Sequence, residues 1–92
     1  MDSMNYTTTD QKVARFMEAD YEETDQWRTL NLNDVVSATD LTADQANESV
    51  LRLGDGGLIE TVRASKLEGG GLRRVSTFGK LSEEGRLLAQ SW

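Results

Sequence analysis

Apolar positions recur along this chain with two different periods. Val13, Phe16, Met17 and Tyr21 fall three and four residues apart, the spacing of a helix with one apolar stripe. Thr9 can cap that helix, with Asp10 at its first position, where the dipole favours an acid. Glu18, Asp20, Glu22, Glu23 and Asp25 crowd the other end, where the dipole disfavours them, so fraying is expected near Glu22. This acidic run reads as a solvated surface. The polar, Thr-rich residues 1–9 read as a flexible segment ahead of one domain over residues 10–92.

Arg28-Thr29-Leu30 is a candidate short strand. Asn33 is a good helix cap and Asp34 suits a first turn, so Val35, Val36 and Ala38 are expected on a second helix of two turns. Thr39-Asp40-Leu41 makes a turn with Leu41 inward, and Thr42 caps a third helix over residues 42–54. Its core stripe is Ala46, Val50 and Leu53. Gly54-Asp55-Gly56-Gly57 ends it, with Gly57 expected at a positive φ. The period then changes: Leu58 to Lys66 and Leu72 to Phe78 read as two strands around Gly69-Gly70-Gly71, a hairpin. Ser82 caps a last helix whose first turn holds Glu83 and Glu84. Together these elements predict an α+β, mainly α domain: a three-helix core, a two-stranded hairpin with a short third strand, and a C-terminal helix. Trp27 is expected to bury beside the short strand, and Trp92 to pack on the first helix or cover a partner subunit.

With 92 residues the chain makes a single domain with a small core. No apolar run is long enough to span a membrane, and no segment reads as a secretory signal, so a cytoplasmic protein is expected. Cysteine and histidine are both absent, which removes disulfides, thiolate ligands, the commonest metal ligand and the usual general base. Glu22-Glu23 and Glu83-Glu84 are sequence neighbours, so each pair diverges on a helix and makes no acid/base pair. The glycine triplet sits between strands with no Lys-Ser/Thr helix after it, so it is not a nucleotide loop. No enzyme, cofactor or metal site is expected.

Charge separates the two parts of the chain. Residues 1–57 hold twelve acids and four bases, whereas residues 58–92 hold four acids and six bases, within a net charge of −6. Any footprint for nucleic acid is therefore local and C-terminal. The abundance of acids and Thr, with Arg above Lys, would suit a salt-adapted proteome.

Two pieces carry a family resemblance over residues 10–90 or so. Val50-x-Arg52-Leu53-x-x-x-Gly57-Leu58-Ile59-Glu60 is similar to the end of the recognition helix in multiple-antibiotic-resistance-type regulators. Leu81-Ser82-Glu83-Glu84-Gly85-Arg86 resembles the start of the helix after their wing. The resemblance implies a winged helix-turn-helix fold, with the third helix in the DNA major groove and the hairpin as a wing on the flanking backbone. It places Thr42, Asp44, Gln45, Asn47, Glu48 and Leu51 on the exposed helix face. Gln45 and Asn47 would meet adenine edges, Glu48 can accept from a cytosine amino group, Thr42 would serve as phosphate contact or cap, and Arg52 would reach a phosphate. Arg63, Lys66, Arg73 and Arg74 give the wing its charge, with Glu68 the one opposing acid. The third helix departs from the family pattern, since residues 42–53 hold two acids and one base.

Two functions follow as expectations. The first is a small transcriptional regulator that binds double-stranded DNA, as a homodimer through its first and last helices. The second is a winged-helix module that binds a protein partner through Leu51 and the acidic face, without DNA.

Overall fold

The computed structural model describes residues 6–66 and 73–92, with the side chains of residues 63–66 and 73–76 outside the description. In chain order the elements are α1 (Thr8–Thr24), β1 (Leu30–Asn31), α2 (Leu32–Thr39), α3 (Ala43–Asp55), β2 (Val62–Lys66), β3 (Arg73–Phe78) and α4 (Glu83–Ser91). The architecture is α+β and mainly α. One antiparallel sheet has the order β1-β3-β2, so the short first strand lies on the outer edge of β3. Leu30 and Val62 both pair with Phe78, which anchors the base of the sheet in the core. The glycine triplet expected at the hairpin turn lies outside the described residues.

Two helix starts differ from the sequence expectation, for one reason. α1 begins at Thr8 because Thr7, not Thr9, is its cap: the Thr7 hydroxyl accepts from the Asp10 amide at 3.1 Å and the Thr7 amide donates to Asp10 Oδ2 at 3.0 Å. Thr8 and Thr9 are therefore helical. α2 begins at Leu32 because Asn31 has Asp34 three positions on, and the two exchange the same pair of bonds. Thr9 and Asn33 lack that reciprocal partner, since Lys12 and Val36 follow them. The expected cap of α3 is observed, with Thr42 and Gln45 forming a third capping box.

Fraying at Glu22 is not observed either. α1 continues to Thr24 and closes on Asp25 at φ 56°. Cations from elsewhere offset the dipole conflict: Arg28 meets Asp20 at 2.7 Å and Arg86 meets Glu22 at 2.8 Å.

The core holds Val13, Ala14 and Met17 of α1, Val35 of α2, Ala46, Val50 and Leu53 of α3, and Leu58, Phe78 and Leu81. Phe16 and Tyr21 flank that stripe half-buried, and Tyr21 packs on Trp27 with ring centroids 4.2 Å apart. Trp92 packs on Tyr6, just before α1, at 5.6 Å.

The expected strand from Leu58 is split. Leu58 and Ile59 sink into the core, Ile59 bridges Leu81, and regular pairing starts only at Val62. Between them Thr61 takes φ 61°, a conformation that costs a β-branched residue about 1–3 kcal/mol. Gly79 makes the corner feasible, because a Cβ there would come within 3.0 Å of the Glu60 carbonyl oxygen and of Thr61 Cβ. Gly57 has the expected positive φ, at 80°.

Gly85 explains the Leu81–Arg86 motif in physical terms. The start of α4 lies so close to Leu58 that a Cβ on Gly85 would overlap the Leu58 carbonyl oxygen. Ser82 draws the two segments together, donating from its hydroxyl to the Gly57 carbonyl at 2.7 Å and from its amide to the Leu58 carbonyl at 2.9 Å.

Candidate functional site

α3 packs against α1, α2, β2 and β3, and its exposed residues lie mostly on the N-terminal half, with Asp55 at the other end. Thr42, Ala43, Asp44, Gln45 and Glu48 are exposed. Thr42 and Gln45 are partly occupied by their own cap, since the Thr42 hydroxyl accepts from the Gln45 amide and Gln45 Oε1 accepts from the Thr42 amide. The Gln45 amino group and the Asp44 and Glu48 carboxylates remain exposed.

Three expected contact residues are placed elsewhere. Asn47 is 7% exposed, because the buried side of α3 is wider than the Ala46–Val50–Leu53 stripe and takes in both of its flanks. It is not positioned to meet an adenine edge. Leu51 is half-buried and packed against the core, so it is not the exposed protein contact expected of it. Arg52 turns inward: its Nε donates to Asp10 Oδ2 at 2.8 Å. The guanidinium is thus engaged internally, with about a third of the side chain open to solvent.

Asp10 is the residue that sequence reasoning used only as a helix-start acid. It is fully buried, 42 positions from Arg52, and joins the first turn of α1 to the last turn of α3. Burial pushes its carboxyl up, but the bonds from Arg52 and from the Thr7 amide, with the Ser49 hydroxyl beside it, hold it below the ordinary value of 3.8. Its second oxygen and Ser49 Oγ are both buried without a hydrogen-bond partner. A signal did exist in the sequence. Asp10 lies three and seven residues before Val13 and Met17, on the apolar side of α1. Glu18 is a second such acid, 8% exposed, and it accepts from Arg86 Nε at 2.9 Å and from Gln90 at 3.2 Å. Arg86 also lies 4.3 Å over the Tyr21 ring.

The backbone register of the hairpin sets Lys66 opposite Arg73, Ser65 opposite Arg74 and Arg63 opposite Thr77. Three of the four hairpin bases therefore sit at the end distant from Phe78. Away from this region, an open groove of about 530 Å³ lies between α1 and the end of α2, lined by Lys12, Arg15, Phe16, Ala19, Ala38 and Asp40 among others. No group of three or more acids that could hold a metal occurs among the described residues, and no helix there is long and apolar enough to cross a membrane.

A scan against protein-family models, a search of curated proteins and a search of solved structures each gave no match for this chain.

Proposed function

We propose that this chain is a winged helix-turn-helix domain that binds double-stranded DNA as a small regulator, with the hairpin carrying most of the contact. The observation behind this reading is the order α1-β1-α2-α3-β2-β3-α4 combined with the sheet order β1-β3-β2. That arrangement presents one face of the second helix of a helix-turn-helix beside a two-stranded hairpin, the parts such domains use on the major groove and the adjacent backbone. The analogy is one of fold, and the chemistry modifies it. With Arg52 tied to Asp10 and Asn47 buried, α3 has Gln45 to offer a base acceptor and Glu48 to accept from a cytosine amino group. Attraction to phosphates falls to Arg63, Lys66, Arg73 and Arg74. The affinity should therefore be modest and strongly salt-dependent, with log K falling by about 0.9 per phosphate contact per decade of salt.

The second reading is a domain of the same shape that binds protein and not DNA. It is favoured by one observation: Asp44 and Glu48 stand exposed on α3 while the base of that helix is consumed internally. Titration of the folded protein against a random duplex library at falling salt separates the two. Retention at low salt that weakens with salt supports DNA binding. Absence of retention at the lowest salt, by protein with intact helical circular dichroism, removes it and leaves the second reading. Arg73→Ala with Arg74→Ala should weaken binding to all sequences alike; unchanged affinity would show that the wing is not the contact.

A further inference from the structure

The outward stripe of α1 is unlike the rest of the helix. Lys12, Phe16, Ala19 and Glu23 follow at steps of four, three and four residues, which keeps them on one side of the helix. The opposite side is occupied by Val13, Ala14, Met17 and the buried acid Asp10. Lys12, Ala19 and Glu23 are exposed, Phe16 is half-buried with part of its ring against the core, and Lys12, Phe16 and Ala19 line the open groove between α1 and α2. Lys12, Arg15 and Glu23 form no ion pair at contact distance among the described residues, and Arg28 is the cation that feels the charge of Glu23.

Within one molecule this stripe runs against the helix dipole. Glu23 sits in the last turn of α1, where a negative charge is unfavourable, and the base lies towards the other end. Two features resolve this if a second α1 is laid antiparallel on the first. The midpoint of Lys12 and Glu23 and the midpoint of Phe16 and Ala19 both fall between Met17 and Glu18. One two-fold axis at that point therefore sets Lys12 against the partner's Glu23 and Phe16 against the partner's Ala19. Charge meets opposite charge twice, and the large ring faces the small methyl side chain twice. Each acid also comes beside the positive end of the other helix. An isologous interface requires such self-complementarity, in which each residue meets its counterpart in both directions.

We infer that the Lys12–Phe16–Ala19–Glu23 face of α1, with the groove beside it, is a docking surface for a second copy of this chain in antiparallel orientation. This is not the pairing through first and last helices expected from sequence, because α4 packs on a different side of α1, through Glu18 and Glu22. The inference is independent of DNA binding, and either can fail without the other.

Sedimentation equilibrium on the full chain tests it. A monomer–dimer equilibrium with a dissociation constant of about 1–100 µM is expected, the range of a weak association. A monomer at about 1 mM, ten times the weakest of these values, would overturn it. Lys12→Glu and Glu23→Lys should each weaken the dimer by about tenfold or more, since each places like charges together at both ends. Both substitutions agree with the helix dipole, so folding should be retained, as circular dichroism would show. The double variant K12E/E23K should dimerise like the original chain. The two single variants, mixed, should form a heterodimer, because each then supplies what the other lacks. If the single variants dimerise unchanged, or if neither the double variant nor the mixture recovers association, the antiparallel pairing is wrong. An acidic or basic partner of another kind that uses this face would give neither recovery.

Discussion

At its N-terminal end α3 holds Asp44, Gln45 and Glu48 in solvent, whereas two turns later Arg52 runs inward to the buried carboxylate of Asp10. Both ends are polar, and they belong to one continuous helix of 13 residues. The difference lies in what surrounds them. The last turn is clasped by the first turn of α1, so its charge is spent on holding two helices together. The first turn has no such neighbour, and its charges are directed at whatever approaches. A helix with three acids and one base in its sequence therefore presents its acids to solvent while its base is tied to a buried carboxylate. Summed charge misjudges an interface whenever one of the charges is used internally.

The tied end should break hardest. Arg52→Ala leaves Asp10 buried without its cation, and the expected loss is about 3 kcal/mol, the lower part of the range for such pairs because the guanidinium is partly open to water. Urea unfolding measures it, and a loss under about 1 kcal/mol would mean that the pair does not hold the helices together. The same site fixes a pH dependence. Asp10 in the folded protein lies below its ordinary value of 3.8, so its contribution is present above that value and lost as pH falls through the folded one. In Arg52→Ala the sign should reverse. Burial then dominates, the folded carboxyl moves above the unfolded one, and stability rises as pH falls. Denaturation midpoints of both proteins across the acid range would show curves of opposite slope.

The free end should respond more weakly in stability and more strongly in binding. Thr42→Ala removes the hydroxyl that caps α3 and should cost about 1 kcal/mol by thermal unfolding. Asp44→Asn with Glu48→Gln should alter stability by less than about 0.5 kcal/mol, because both side chains are exposed. Yet it should tighten duplex binding several-fold, as read by fluorescence anisotropy at low salt. If the substitution instead leaves DNA binding unchanged and abolishes capture of a protein partner, the exposed end serves protein recognition.

Much of this contrast was legible before the structure. Thr42 was legible as the cap of α3, Leu41 as the inward residue of the turn, and Ala46, Val50 and Leu53 were placed inward by spacing, while the reciprocal bond from Gln45 emerged only in the structure. Both signals are local, decided within one or two turns. The two misplaced caps were also local, but they depended on the acid three residues later and not on the quality of the capping residue. Arg52 was a different matter. Whether it meets a phosphate or a carboxylate depends on where α1 lies, and no periodicity in α3 encodes that. Asn47 was misread because a helix covered on several sides buries more than its apolar stripe. The corner at Thr61 was hidden because β-branching there argues for a strand while the packing of Leu58 against Gly85 bends the chain.

The pairing of Glu18 with Arg86, separated by 68 positions, has a consequence for how the chain acquires its fold. At synthesis rates of about 5–20 residues per second, α1 exists for some 3–14 seconds before the segment that completes its neighbour has been made. During that interval α2 and α3 are made and can cover the apolar side of α1, but Glu18 keeps its water. Docking of α4 must strip that water at the moment Arg86 arrives, so closure of the domain is a late, concerted event.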